Sequence, residues 1–186
     1  MSRLSPLRLI AIALAVLVSQ MPSAIRAEPT VEEKQVASDY LQAIFDARAK
    51  LHDAGFKLGQ VIGPLVREGK DIDIADAEAK YAVMKSVIVE IKKSHAAKKV
   101  PSGETGTGID NAWKAFIKVQ TRVVDIEMAA VIAVLDDKEL DNDGKKAQIL
   151  KLIDRIVAKE KKDSEGLLTA QEALKAAFDI KVEAPK

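Results

Sequence analysis

Apolar side chains recur every three or four positions along four long stretches of this chain, the period of one face of an α-helix rather than of a strand. The first stretch, about 30–67, carries Val36, Tyr40, Ile44, Ala47, Leu51, Leu58, Ile62 and Leu65 on one side. The second, about 74–98, steps through Ile74, Ala77, Tyr81, Met84, Ile88, Ile91 and His95. A third helix is predicted over 108–135, with Ile109, Trp113, Phe116, Ile117, Val123, Val124, Val131 and Leu135. The last covers 145–178, with Ile149, Ile153, Ile156, Leu167, Leu174 and Phe178. Its phase persists through the polar stretch 160–166, which predicts one helix continuing past Gly166 despite the poor helix propensity of glycine.

Each stripe must be hidden against another. Four such helices with short connections give an all-α fold, the antiparallel up-and-down four-helix bundle. Gly69 is expected to end the first helix in the left-handed conformation, and Asp73 to cap the second by accepting from its first free amides. Pro101 to Gly108, with three glycines and small polar residues, is expected to be the main loop, with Thr107 capping the third helix. Residues 136–144 form a polar connector.

The first 27 residues change the picture from fold to destination. Arg3 and Arg8 precede the apolar run Leu9 to Val18, and Ile25-Arg26-Ala27 follows, the layout of a signal peptide cleaved after Ala27. A membrane-spanning helix needs about 20 apolar residues, so this shorter run fits a cleaved leader better than an anchor. The expected organisation is a signal peptide at 1–27, a single helical-bundle domain at 28–180 and a disordered tail at 181–186. The protein would then be periplasmic or secreted, and not membrane-spanning after cleavage.

Removing residues 1–27 takes 3 of 29 basic residues and no acid, leaving 26 against 28, a formal charge of −2. No basic footprint for nucleic acid remains. The chain has no cysteine, so neither a disulfide nor a lipid-modified N-terminal cysteine is available, and apolar burial must supply the stability.

Several motifs resemble chemistry and fail in detail. Gly103-Glu104-Thr105-Gly106-Thr107-Gly108 has the glycine spacing of a phosphate loop, but Ile109 and Asp110 stand where lysine and serine or threonine belong. Glu104 and Asp110 would also repel phosphate. Glu139 to Gly144 resembles half a calcium loop, but position twelve is Leu150 and Lys145-Lys146 adds positive charge. A turn and an acidic helix start explain the same residues. Leu168-Thr169-Ala170-Gln171 comes one residue short of the Leu-Thr-x-x-Gln signature of small helical chaperones, and no family is assigned.

The candidate functional positions are few. A hairpin pivoting near 69–71 would bring His95 to Asp46 as an ion pair or hydrogen bond, and His52 near Ile88 to Ile91. Gln120, Glu127 and Glu160 fall on or beside the stripes, either as a polar layer fixing register or as the lining of a pocket. Gly55, Gly59 and Gly63 lie four apart, a close-packing, kinked or flexible stretch before Pro64.

No cofactor is expected. Haem attached through cysteine is excluded, and Met84 and His95, about 16 Å apart along one helix, cannot share an iron. Neither metal ligation nor catalysis has a recognisable residue set, so the chain reads as no enzyme. It reads instead as an exported protein-interaction or chaperone-like module of the cell envelope. The alternative is a bundle holding a metal, haem or small apolar molecule between its helices.

Overall fold

The computed structural model describes residues 28–181, apart from the side chain of Lys162; the expected signal peptide at 1–27 and residues 182–186 of the expected tail lie outside the described residues. Helices α1 (Val31–Glu68), α2 (Ile74–Ala96), α3 (Gly103–Arg122), α4 (Ala129–Asp136) and α5 (Asn142–Phe178) make up the fold, with a π-helical segment, Val123–Met128, between α3 and α4. The backbone stays right-handed helical at both junctions of that segment, so 103–136 is one rod and the described residues form an all-α bundle of four rods. No helix among the described residues is long and apolar enough to cross a membrane.

The apolar stripes become the core. Tyr40, Leu41, Ile44, Leu58 and Leu65 of α1 meet Ala77, Met84, Ile88 and Ile91 of α2, and Ile109, Trp113, Val124, Val131, Ile149, Leu167 and Leu174 complete one cluster. Burying each large aliphatic side chain contributes about 1.5–3 kcal/mol. α5 runs unbroken through Gly166, as its phase predicts.

The turn at Gly69 forms as expected: its φ is +68°, and its N–H reaches the Leu65 carbonyl at 2.9 Å. Only a residue without Cβ takes that conformation cheaply. Asp73 then accepts from the Asp76 amide at 3.1 Å, and the two helices meet through Lys50 and Glu90 at 2.6 Å. Asn142 donates to Gly69 O at 3.0 Å and to Asp71 at 2.9 Å, so the connector into α5 is tied to this first turn. Asp141 caps α5 through the Gly144 amide at 2.8 Å. The acidic residues of the calcium-like stretch thus serve the turn and the helix start.

The expected main loop at 101–108 is a correction. α3 already begins at Gly103, and the connector is only 97–102. Thr107 is not its cap: its hydroxyl donates to the Gly103 carbonyl at 3.2 Å, one turn inside the helix. Packing overrides the low helix propensity of three glycines here. Gly106 is buried against Pro101, whose carbonyl oxygen would lie 1.9 Å from a Cβ at that position, and Ser102 is tied to Glu33 at 3.0 Å. Glu104, in the first turn, favours the positive end of the helix.

The π segment has a geometric cause. Ile109 and Leu135 are both buried, yet at about 100° per residue an unbroken α-helix would leave them about 80° apart around the axis. One residue of extra winding brings Leu135 back to within about 20° of the stripe. The Tyr81 hydroxyl donates to the Val124 carbonyl inside the widened turn at 3.1 Å.

The glycines of α1 do not form a close-packed strip. Gly55 would place a Cβ 3.7 Å from Met84 Cε, Gly59 would meet nothing within 4 Å, and Gly63 lies under the Arg67 guanidinium. Gly59→Ala is therefore expected to raise stability by about 1 kcal/mol through helix propensity, whereas Gly106→Ala should lower it because the Pro101 carbonyl must move. Urea unfolding of the two variants reads both signs.

Candidate functional site

Two polar constellations stand out. The first ties α1, α2 and α3 together. Tyr40 donates its hydroxyl to Asp110 Oδ1 at 2.9 Å, His95 Nε2 approaches the same oxygen at 3.1 Å, and Lys114 reaches Oδ2 at 2.6 Å. A neutral His95 must therefore carry its proton on Nε2 to serve as donor. Trp113 closes the site, with its ring edge-on to His95 at 5.9 Å and stacked on Phe116 at 5.4 Å.

The expected partner of His95, Asp46, is corrected to Asp110. Asp46 instead accepts from Gln42 at 2.8 Å on the exposed side of α1. Reading 101–108 as a loop hid this pairing, because Asp110 then stood at a helix start rather than two turns inside a rod facing the core. Its i+4 relation to Lys114 was the available signal.

Burial pushes His95 below its ordinary value of 6.5, and the neighbouring Asp110 offsets this only in part. Burial alone would raise Asp110, but donors from Lys114, Tyr40 and His95 outweigh it and hold the carboxyl below 3.8. Burial and the Asp110 carboxylate both raise Tyr40, which stays protonated. The adjoining cavity holds about 10 Å³, at most one water, so this cluster has no room for a substrate.

The second constellation is a groove of about 390 Å³ between α1 and α5. Leu51, Gly55 and Phe56 of α1, Met84 of α2, Phe116 of α3, Met128 and Ile156 give it apolar walls. Met84 and Phe116 are 5% and 6% exposed, so the floor reaches the bundle interior, while Phe56 at the rim is 57% exposed. Gly55 leaves the wall of α1 bare. Arg48, His52, Gln120, Glu160 and Ser164 supply the polar lining.

Gln120 and Glu160 come together, the amide donating to the carboxylate at 2.9 Å. They are at once a polar tie between α3 and α5 and part of the groove wall. Exposed His52 stacks on Phe56 with ring centroids 6.4 Å apart. Buried Glu127, in the π segment, is held by Lys159 and by Arg155 at 3.7 Å; the Lys159 hydrogen bond keeps its carboxyl below the ordinary range. Among the described residues no three His, Asp or Glu side chains converge as a metal site would require.

Comparison with known proteins finds no matching family model, no matching curated protein and no matching solved structure. The all-α bundle and its groove are the basis for a functional reading.

The folded state resists protonation of both His95 and Asp110, so the unfolded chain binds more protons in acid and stability rises with pH. The His95 contribution is present above 6.5 and declines as pH falls toward its lower folded value; that of Asp110 is present above 3.8 and declines below. Urea midpoints are expected to drop on going from about pH 7 to about pH 5, and His95→Gln, which keeps a donor but cannot titrate, should remove most of that drop.

Proposed function

We propose that the mature protein is an exported, non-catalytic binding module of the cell envelope, and that the groove between α1 and α5 receives an apolar group displayed by its partner. The groove carries this reading. An apolar floor open to solvent, an exposed aromatic at its edge and a polar rim form the anatomy of a recognition site. The titratable cluster of Tyr40 with His95 and Asp110 adjoins a cavity of only about 10 Å³.

The rods run alternately up and down in this reading, an antiparallel four-helix bundle. Supporting it are the pairings of Lys50 with Glu90 and Tyr40 with His95 across α1 and α2, and of Gln120 with Glu160 and Leu135 with Lys145 across the last two rods. Export rests on the leader-like residues 1–27. The second reading, a small apolar molecule held between the helices, is favoured by the volume, which falls in the roughly 300–1,000 Å³ range of small-molecule sites.

Two measurements test this. Cell fractionation with N-terminal sequencing is expected to find an envelope form beginning at Glu28; a cytoplasmic chain starting at Met1 would refute export. A photo-crosslinking residue in place of Phe56 should give discrete adducts in living cells, and the same residue in place of exposed Val83 on α2 should not. Equal labelling at both positions would remove the groove from the function.

A further inference from the structure

We infer, resting on the groove's role as the binding surface proposed above, that its ligand is an amphipathic anion: an unbranched acyl chain laid into the slot with its carboxylate against Arg48. Arg48 is half-buried at the groove, its guanidinium 5.9 Å from the centroid of the Phe116 ring. Among the described residues it has no carboxylate within ion-pair distance, unlike Arg155, which reaches Glu127. A guanidinium held over an aromatic ring at the mouth of an apolar slot offers its fork of donors to a planar carboxylate.

His52 lies one turn further along α1 and adds a second nitrogen-bearing side chain to the same rim. Among the described residues the only carboxylate of the lining, Glu160, is already engaged by the Gln120 amide. The slot itself suits a chain. Its floor lies among buried Met84 and Phe116. Met84 and Met128 are flexible, polarizable walls that adapt to a linear hydrocarbon. The bare backbone at Gly55 adds room beside Met84.

The methionines also give the test. The chain has four, and the two within the described residues, Met84 and Met128, both line the groove. Purified protein carrying isotopically methyl-labelled methionine, with resonances assigned from Met84→Leu and Met128→Leu, is titrated below micelle concentrations with dodecanoate, dodecylammonium and dodecanol. Dodecanoate is expected to shift both methyls saturably and to bind about tenfold tighter than dodecylammonium. Arg48→Gln should weaken dodecanoate about tenfold and leave dodecanol within about twofold.

Equal affinity for the anion and the cation, or an Arg48→Gln variant that binds dodecanoate unchanged, overturns the anionic assignment and leaves the groove as an apolar site. If a Leu- and Glu-rich helical peptide shifts both methyls and dodecanoate does not, the groove is a peptide site and the acyl assignment falls. Methyls unmoved by every probe overturn the acyl assignment and the groove's binding role together.

Discussion

Everything in this protein depends on four aliphatic stripes being hidden against one another, because a chain without cysteine has no covalent link to hold its rods. The stripes must then stay in phase over rods as long as 38 residues. An α-helix whose apolar residues step mostly by four drifts around its axis, and over the third rod that drift would carry Leu135 out of the core. The π segment at Val123–Met128 absorbs it. Local irregularity in the backbone is thus the condition for regular packing, and the Tyr81 hydroxyl on the Val124 carbonyl ties α2 to that irregular turn.

Buried Glu127 lies in the same segment. Its carboxylate meets Lys159 and Arg155 of α5. An unpaired carboxylate there would carry a large desolvation cost, which the two cations offset. Removing one partner is the costly change, because it leaves a buried charge uncompensated.

Much of this was legible in the residues. The Gly69 turn, the Asp73 cap, the stripe of α2 and the continuity of α5 through Gly166 each follow from local chemistry that no distant contact contradicts. The start of α3 was not legible, because three glycines argue for a loop and only the fit of Gly106 on the Pro101 carbonyl and the nonlocal Ser102 to Glu33 contact decide otherwise. The wrong partner for His95 came from the same error. Gln120 and Glu160 were recognisable as polar residues within apolar stripes, but that they are satisfied by each other and also line a groove is a matter of how α3 and α5 are placed. Arg48 gave no signal at all, since a single arginine on a long helix is normally solvated surface.

The polar fastenings and the groove occupy different levels of the bundle. The Tyr40, His95 and Asp110 cluster fastens three helices where the α2–α3 connector lies, and Asn142 fastens the opposite connectors to Gly69 and Asp71. Between these anchors α1 contains Gly55 and Gly59, each costing about 1 kcal/mol relative to alanine in a helix interior. A free helix with such a stretch would fray there. Fastened at both ends it stays helical, and the side chain missing from Gly55 becomes space instead of disorder. The groove beside Phe56 is that space, and it exists because the ends of the bundle are strong enough to hold a weak middle.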